Sequence, residues 1–186
     1  MMLARVRPKA LIAVMRDVRG LAMIEFALLL PVMLVLYLGG VQLQDGIACD
    51  RKVTSTARAA ADLISQNTTG SMTAAEVDDS LNAASQVLLP FSSTPAKIRV
   101  TEIAVDAKKN ATVKWSRGFK TTRYAPGTAI IVPTAMQQPN TYYLLAEVTY
   151  AYTPPSSFGA IGAMTLGDSI YMVPRNTDQI NCPDCQ

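Results

Sequence analysis

At 186 residues, the chain has room for one ordinary domain plus a membrane segment. It contains no histidine, so the commonest general base and the commonest metal ligand are both missing. Its net charge of +3 is concentrated: Arg5, Arg7, Lys9, Arg16 and Arg19 precede a long apolar run, opposed there by Asp17 alone. Without the first twenty residues the charge falls to −1, so the basic character is a topology signal and not a nucleic-acid footprint.

Residues 1–20 read as a basic leader, partly amphipathic through the apolar stretch Ala10–Met15. The run Phe26–Val41 then holds sixteen residues without a charge, and widening it to Leu21–Leu43 admits Glu25 and Gln42. Twenty-three residues reach about 34 Å as a helix, enough to cross a bilayer core. The flanking cations place the N-terminus in the cytoplasm and the remainder across the membrane. A cleaved secretory signal is the competing reading, with Gly39-Gly40 as a weak site, but its apolar core is shorter, about 7–15 residues. The polar segment after Leu43 continues the helical pattern, which favours an anchor that stays in place. Pro31 removes one backbone hydrogen bond inside the span; it reads equally as a harmless kink and as local softening.

Glu25 is the singular residue. A carboxylate in hydrocarbon costs about 2.5–3.5 kcal/mol on insertion scales, so it needs a partner. It stands five residues after Gly20, followed by Phe26-Ala27-Leu28 and by Pro31. This stretch resembles the processing site of the type IV prepilin family, and more narrowly that of the TadE-like minor pilins (pseudopilins) of the Tad, or Flp, pilus system. The resemblance implies that a prepilin peptidase cuts after Gly20, reading Gly20, Leu21, Glu25 and Phe26. It implies that the freed amine of Leu21 and the carboxylate of Glu25 dock subunits against one another. The implied partners are the peptidase, other minor pilins, the major pilin, an inner-membrane assembly platform and the lipid bilayer, with no nucleic acid. The implied location is the bacterial inner membrane, single pass, with residues 44–186 forming a periplasmic domain that can join a pilus. The resemblance does not separate TadE from its sibling TadF.

Beyond the membrane, Gln44–Gln66 contains no proline, and Ile47, Val53, Ala57, Ala60, Ala61 and Ile64 make an approximate helical stripe. One long helix, half anchor and half domain spine, is predicted. Asn67–Ser71 reads as a loop. Thr73-Ala74-Ala75-Glu76 matches a capping box and opens a second helix running to about Leu89, with Pro90 as its stop. Ile98–Val105 and Ala111–Ser116 read as a hairpin, with a phase slip at Thr101-Glu102 that suggests a bulge. Ile130-Ile131-Val132 reads as a short strand in an otherwise irregular crossing. Tyr142–Tyr152 alternates cleanly, with Tyr142, Leu144, Ala146, Val148, Tyr150 and Tyr152 on one face. Ser169–Val173 supplies the last strand. The predicted class is α+β: the long helix, a second helix and an antiparallel sheet of about four strands, with the long helix on one face. Tyr150–Pro154 and Tyr171–Arg175 also resemble the end of TadE-like periplasmic domains.

No phosphate loop, paired-carboxylate motif or nucleophile elbow appears, so no catalytic, cofactor-binding or metal-binding residue is assigned. Glu76, Asp78 and Asp79 fit the dipole of the second helix. Lys108, Lys109, Lys114, Arg117, Lys120 and Arg123 read as a solvated hairpin and loop, with contact to an anionic neighbour as the alternative. Cys182 and Cys185 have no second pair to complete a four-ligand zinc site. A small 182–185 disulfide loop, a bridge to Cys49 and free thiols stay open. Outside the pilin resemblance, the runner-up function is a single-pass anchored periplasmic receptor or envelope scaffold that keeps its leader.

Overall fold

A computed structural model describes residues 20–155 and 162–185. The basic leader expected over residues 1–20 lies outside them, Gly20 apart. Helix α1 spans Leu21–Ser65, 45 residues without interruption, with Pro31 inside it. Its second half carries Cys49, Val53, Thr56, Ala57, Ala60, Ala61 and Ile64 into the core. Their spacing of three and four residues is the helical stripe seen in the sequence. The three alanines give it a narrow profile, which lets the sheet approach closely.

Helix α2 spans Ala74–Ser85 and is extended by a 3₁₀ turn over Gln86–Leu88. Its capping box forms as expected: the Thr73 hydroxyl accepts from the Glu76 amide at 3.3 Å, and Glu76 Oε2 accepts from the Thr73 amide at 2.7 Å. Thr73→Ala removes the hydroxyl half and is expected to lower stability by about 1 kcal/mol, read as a shifted urea midpoint at constant slope. An unmoved midpoint would mean that the cap contributes nothing.

Strands β1 (Ala96–Val105), β2 (Ala111–Phe119), β3 (Thr141–Tyr152) and β4 (Met164–Met172) form one antiparallel sheet in the order β2-β1-β3-β4. The expected fold class is the observed one. The last strand starts at Met164, earlier than Ser169, because Thr165, Gly167 and Asp168 are polar or small and hid its pattern.

The phase slip in β1 has a different cause from the one expected. Pairing of β1 with β3 is continuous from Ala96 to Val105. The strand instead buries both faces in turn. Ala96, Ile98 and Val100 face the helices, whereas Ile103 and Val105 face a second, smaller core with Ala111, Val132, Tyr143 and Leu145. A bulge does sit at this level, but on β2: Glu102 pairs with Trp115 and Ile103 with Val113, leaving Lys114 over.

Ile130-Ile131-Val132 is not a strand, contrary to expectation. Among the described residues the crossing makes one isolated bridge, Thr112 with Ala129. Pro126 and Pro133 bracket it and cannot donate to a ladder. Val132 is buried in the second core while Ile131 stays outside. The apolar run thus plugs the sheet's far face.

The C-terminal segment straps the domain shut. The Arg175 amide donates to the Ser65 carbonyl at 3.0 Å, the Met72 amide to the Asn181 carbonyl at 2.8 Å, and the Asn181 amide to the Gly70 carbonyl at 2.9 Å. Gly70 sits at φ +70, where a side chain would be strained and would meet Thr177. Ile180, Cys182 and Cys185 are buried in the main core.

Candidate functional site: the membrane helix and its junction with the domain

From Leu21 to Val41 the side chains of α1 point away from the rest of the fold, including Leu21, Ile24, Phe26, Leu28, Leu34 and Leu36. Each large apolar side chain left in water forgoes about 1.5–3 kcal/mol of burial. A row of this length is stable only when covered by lipid or by other chains. The helix is long and apolar enough to cross a membrane. Gly20, Leu21, Glu25 and Phe26 lie together at its start. Leu21 and Glu25 are one turn apart, hence on one face, and both are exposed. No other element of the described fold touches them.

The environment changes within one turn. Gln42 is 2 % exposed and is the first buried residue on α1. Three residues on, Asp45 Oδ2 accepts from the Tyr152 hydroxyl at 2.7 Å, fastening the end of β3 to the helix. Burial, reinforced by Asp45, pushes the Tyr152 hydroxyl up to about 12, so it remains a donor. Cys49, one turn further, is buried and free. Burial, then Asp45 and Asp50, push its thiol up to about 11, which keeps it unreactive. Cys182 and Cys185 are joined to each other in the strap.

The basic residues of the hairpin region do not form one surface. Arg117 is bound by Asp78 through two contacts of 2.7 and 2.6 Å, tying β2 to α2. That bond holds the Asp78 carboxyl below its usual range. Lys120 caps the Ser93 carbonyl at 3.1 Å, and Arg123 Nη1 donates to the Cys185 carbonyl at 3.4 Å. Lys108, Lys109 and Lys114 stay in solvent. Tyr150 and Tyr152 are core residues, and Tyr143 belongs to the second core.

Two polar clusters were not singled out from the sequence. Arg99 Nε donates to Glu147 at 2.9 Å and Nη2 to the Tyr124 hydroxyl at 2.6 Å, with the guanidinium over the Tyr124 ring. Glu102 is 2 % exposed, and its Oε1 accepts from the Ile180 amide at 2.7 Å. The Trp115 indole donates to the Ile180 carbonyl at 2.6 Å. The signal was present at Glu102, an acid at a position where the alternation of β1 points inward. Both clusters tie elements of the fold together: Arg99 on β1 to β3 and the crossing, and Glu102 and Trp115 to the C-terminal segment. Among the described residues no group of three or more metal-binding side chains converges.

No curated protein and no solved structure matches the chain. One family model does, described as TadE-like protein, over residues 20–62. The matched stretch begins at Gly20, covers the bare half of α1 with Glu25 and Pro31, and ends within its buried half. Through that helix, and over residues 20–62 alone, the chain is similar to the TadE-like proteins.

Proposed function

We propose that the chain is a membrane-anchored minor pilin (pseudopilin) of a Tad/Flp-type pilus. Residues 1–20 form a cytoplasmic leader, removed after Gly20 by a prepilin peptidase. Residues 21–43 form the inner-membrane anchor, and residues 44–186 the periplasmic domain. The observation that carries this reading is the bare apolar face of α1 from Leu21 to Val41, on which Glu25 is the one charged side chain. Such a helix gains by packing laterally on the helices of other subunits. The carboxylate penalty of about 2.5–3.5 kcal/mol makes that packing selective, because it is relieved only where a cation lies opposite. The amine of Leu21 on a neighbouring protomer is that cation. The work is polymer assembly with other minor pilins, the major pilin and the assembly platform; no step in it needs catalysis or a cofactor.

N-terminal sequencing of the membrane-extracted protein tests the first step, with a start at Leu21 expected. An intact Met1 would remove the docking amine and leave an anchored receptor or scaffold. Glu25→Ala is expected to leave the protein in the membrane fraction. Deleting one partner of a desolvated pair costs about 2–5 kcal/mol, so association should weaken about 30-fold or more, seen as loss of surface pili. Normal piliation in that variant would end the assigned role of Glu25.

A further inference from the structure

The two edges of the sheet differ. The outer edge of β2 is occupied: Val113 exchanges backbone bonds with Thr128 and Gly127 at 2.9 and 2.8 Å, and the Ile130 amide donates to Ala111 at 3.0 Å. Further along, Gly118 abuts the Thr121 carbonyl and Arg117 is tied to Asp78. Among the described residues the outer edge of β4 has no such cover. The Ala151 amide points to Pro95, toward the β1 side, so Ala151 and Thr165 are a pair without mutual bonds. The backbone groups of Thr165, and by alternation those of Gly167, Ser169 and Tyr171, therefore point outward. Among the described residues no backbone group bonds to them, although Asp168 turns its own carboxylate onto the Ser169 amide at 2.8 Å. β4 carries no proline, lysine or bulge, and Asp168 is its one charged side chain, against the several protections an open edge can have.

Beside this edge the helix is also uncovered. Leu43, Ile47, Met164 and Leu166 line a groove of about 220 Å³ between α1 and β4, with Asp50 at its rim. Ile47 is 48 % exposed and Met164 40 %. A fifth strand laid on β4 would place alternate side chains in this groove. Asp50 lines the groove and Asp168 lies further along β4, and neither is in an ion pair among the described residues; Arg51 and Lys52 line the neighbouring hollow, also beside Leu43 and Ile47.

An antiparallel pair with the β4 of a second copy does not fit one shared membrane. β4 runs with α1, since Met164 and Leu166 lie by Leu43 and Ile47 while Arg175, just past the strand, bonds Ser65. Antiparallel pairing with another β4 would point the other copy's membrane helix the opposite way. The remaining edge, β2, is already covered. We propose that the β4 edge and the adjoining α1 groove take up an extended segment of a different subunit, running toward the membrane. That segment carries apolar residues at alternate positions and a lysine or arginine facing Asp50 and Asp168. Main-chain bonds hold it and the groove reads its side chains. The proposal rests on the reading that the chain assembles with other subunits.

The test places the photo-crosslinker p-benzoylphenylalanine at Ser169 of the full chain in its native cells, with the same probe at Lys109 as control. Light is expected to join Ser169, and not Lys109, to another polypeptide through a peptide of the stated pattern. Thr165→Pro deletes one outward N–H that the sheet does not use and should cut that adduct about tenfold, whereas Thr165→Val should leave it. Asp50→Lys, at an exposed position, reverses the groove's charge and should cut it too, which keeps the test decisive if the proline variant does not fold. An adduct of the chain with itself, with lipid alone, or with a peptide lacking the pattern overturns the proposal, as does no adduct or one that survives both changes. A patterned adduct on a chain that retains its leader would uphold the edge and sink the pilin reading; processing at Leu21 without an adduct would do the reverse.

Discussion

Trp115→Ala is expected to lower the stability of the full chain in detergent by about 3–5 kcal/mol, the range for emptying a buried aromatic site. Trp115 is buried where β2, β1 and the C-terminal strap meet, and its indole holds the Ile180 carbonyl at 2.6 Å. The alanine variant loses the packed volume and leaves that carbonyl without its donor. Trp115→Phe separates the two effects: it keeps most of the volume and should cost about 1–3 kcal/mol, the penalty of a buried acceptor left unpaired. Urea unfolding followed by the near-ultraviolet dichroism of the tyrosines measures both. A loss under about 1 kcal/mol for the alanine variant would place Trp115 outside the core.

The second large effect is a dependence on pH. Burial pushes the Glu102 carboxyl up to about 7 from an ordinary 4.5, against the opposing pull of the Ile180 amide, the Trp115 indole and the Lys114 charge. Between those two values the folded chain binds this proton more tightly than the unfolded one. Stability contributed by the group is therefore full below pH 4.5, falls as pH rises toward 7, and is flat above. The drop amounts to about 3 kcal/mol. Glu102→Gln keeps an acceptor for the Ile180 amide and cannot ionise. It should match the parent near pH 5, exceed it near pH 8, and flatten the profile between. Equal urea midpoints for parent and variant at pH 8 would show that the carboxylate is solvated after all.

These two residues also mark where the sequence stopped being readable. Elements whose burial is one-sided were legible from periodicity: the stripe from Val53 to Ile64, the Thr73–Glu76 box, and the alternation of β3. β1 was harder, since it buries one face near Ile98 and the other near Ile103, and a single-face rule reads that as a slip. Ile130–Val132 looked like a strand because apolar content does not reveal whether the backbone has a ladder to join; the flanking prolines did, and outweigh it. At the long apolar helix, Glu25 stood out because a carboxylate is costly in lipid, and Gly20 and Pro31 stood out through their spacing from it, which resembles the prepilin processing site. Asp45 and Asp78 did not, since a partner 107 or 39 residues away leaves no local mark; Glu102 was marked only by its inward phase in β1.

Because the Asp45–Tyr152 bond sits only two residues past Leu43, the globular part has no tether of its own. It cannot swing or reach; it rides on the anchor like a piston head on its rod. Sliding α1 by one helical turn would lift every strand by about 5.4 Å, and any twist of the buried shaft would turn the outer edge of β4 by the same angle. With α1 held in a bilayer, the position of the shaft would be converted directly into the height and heading of that outer edge.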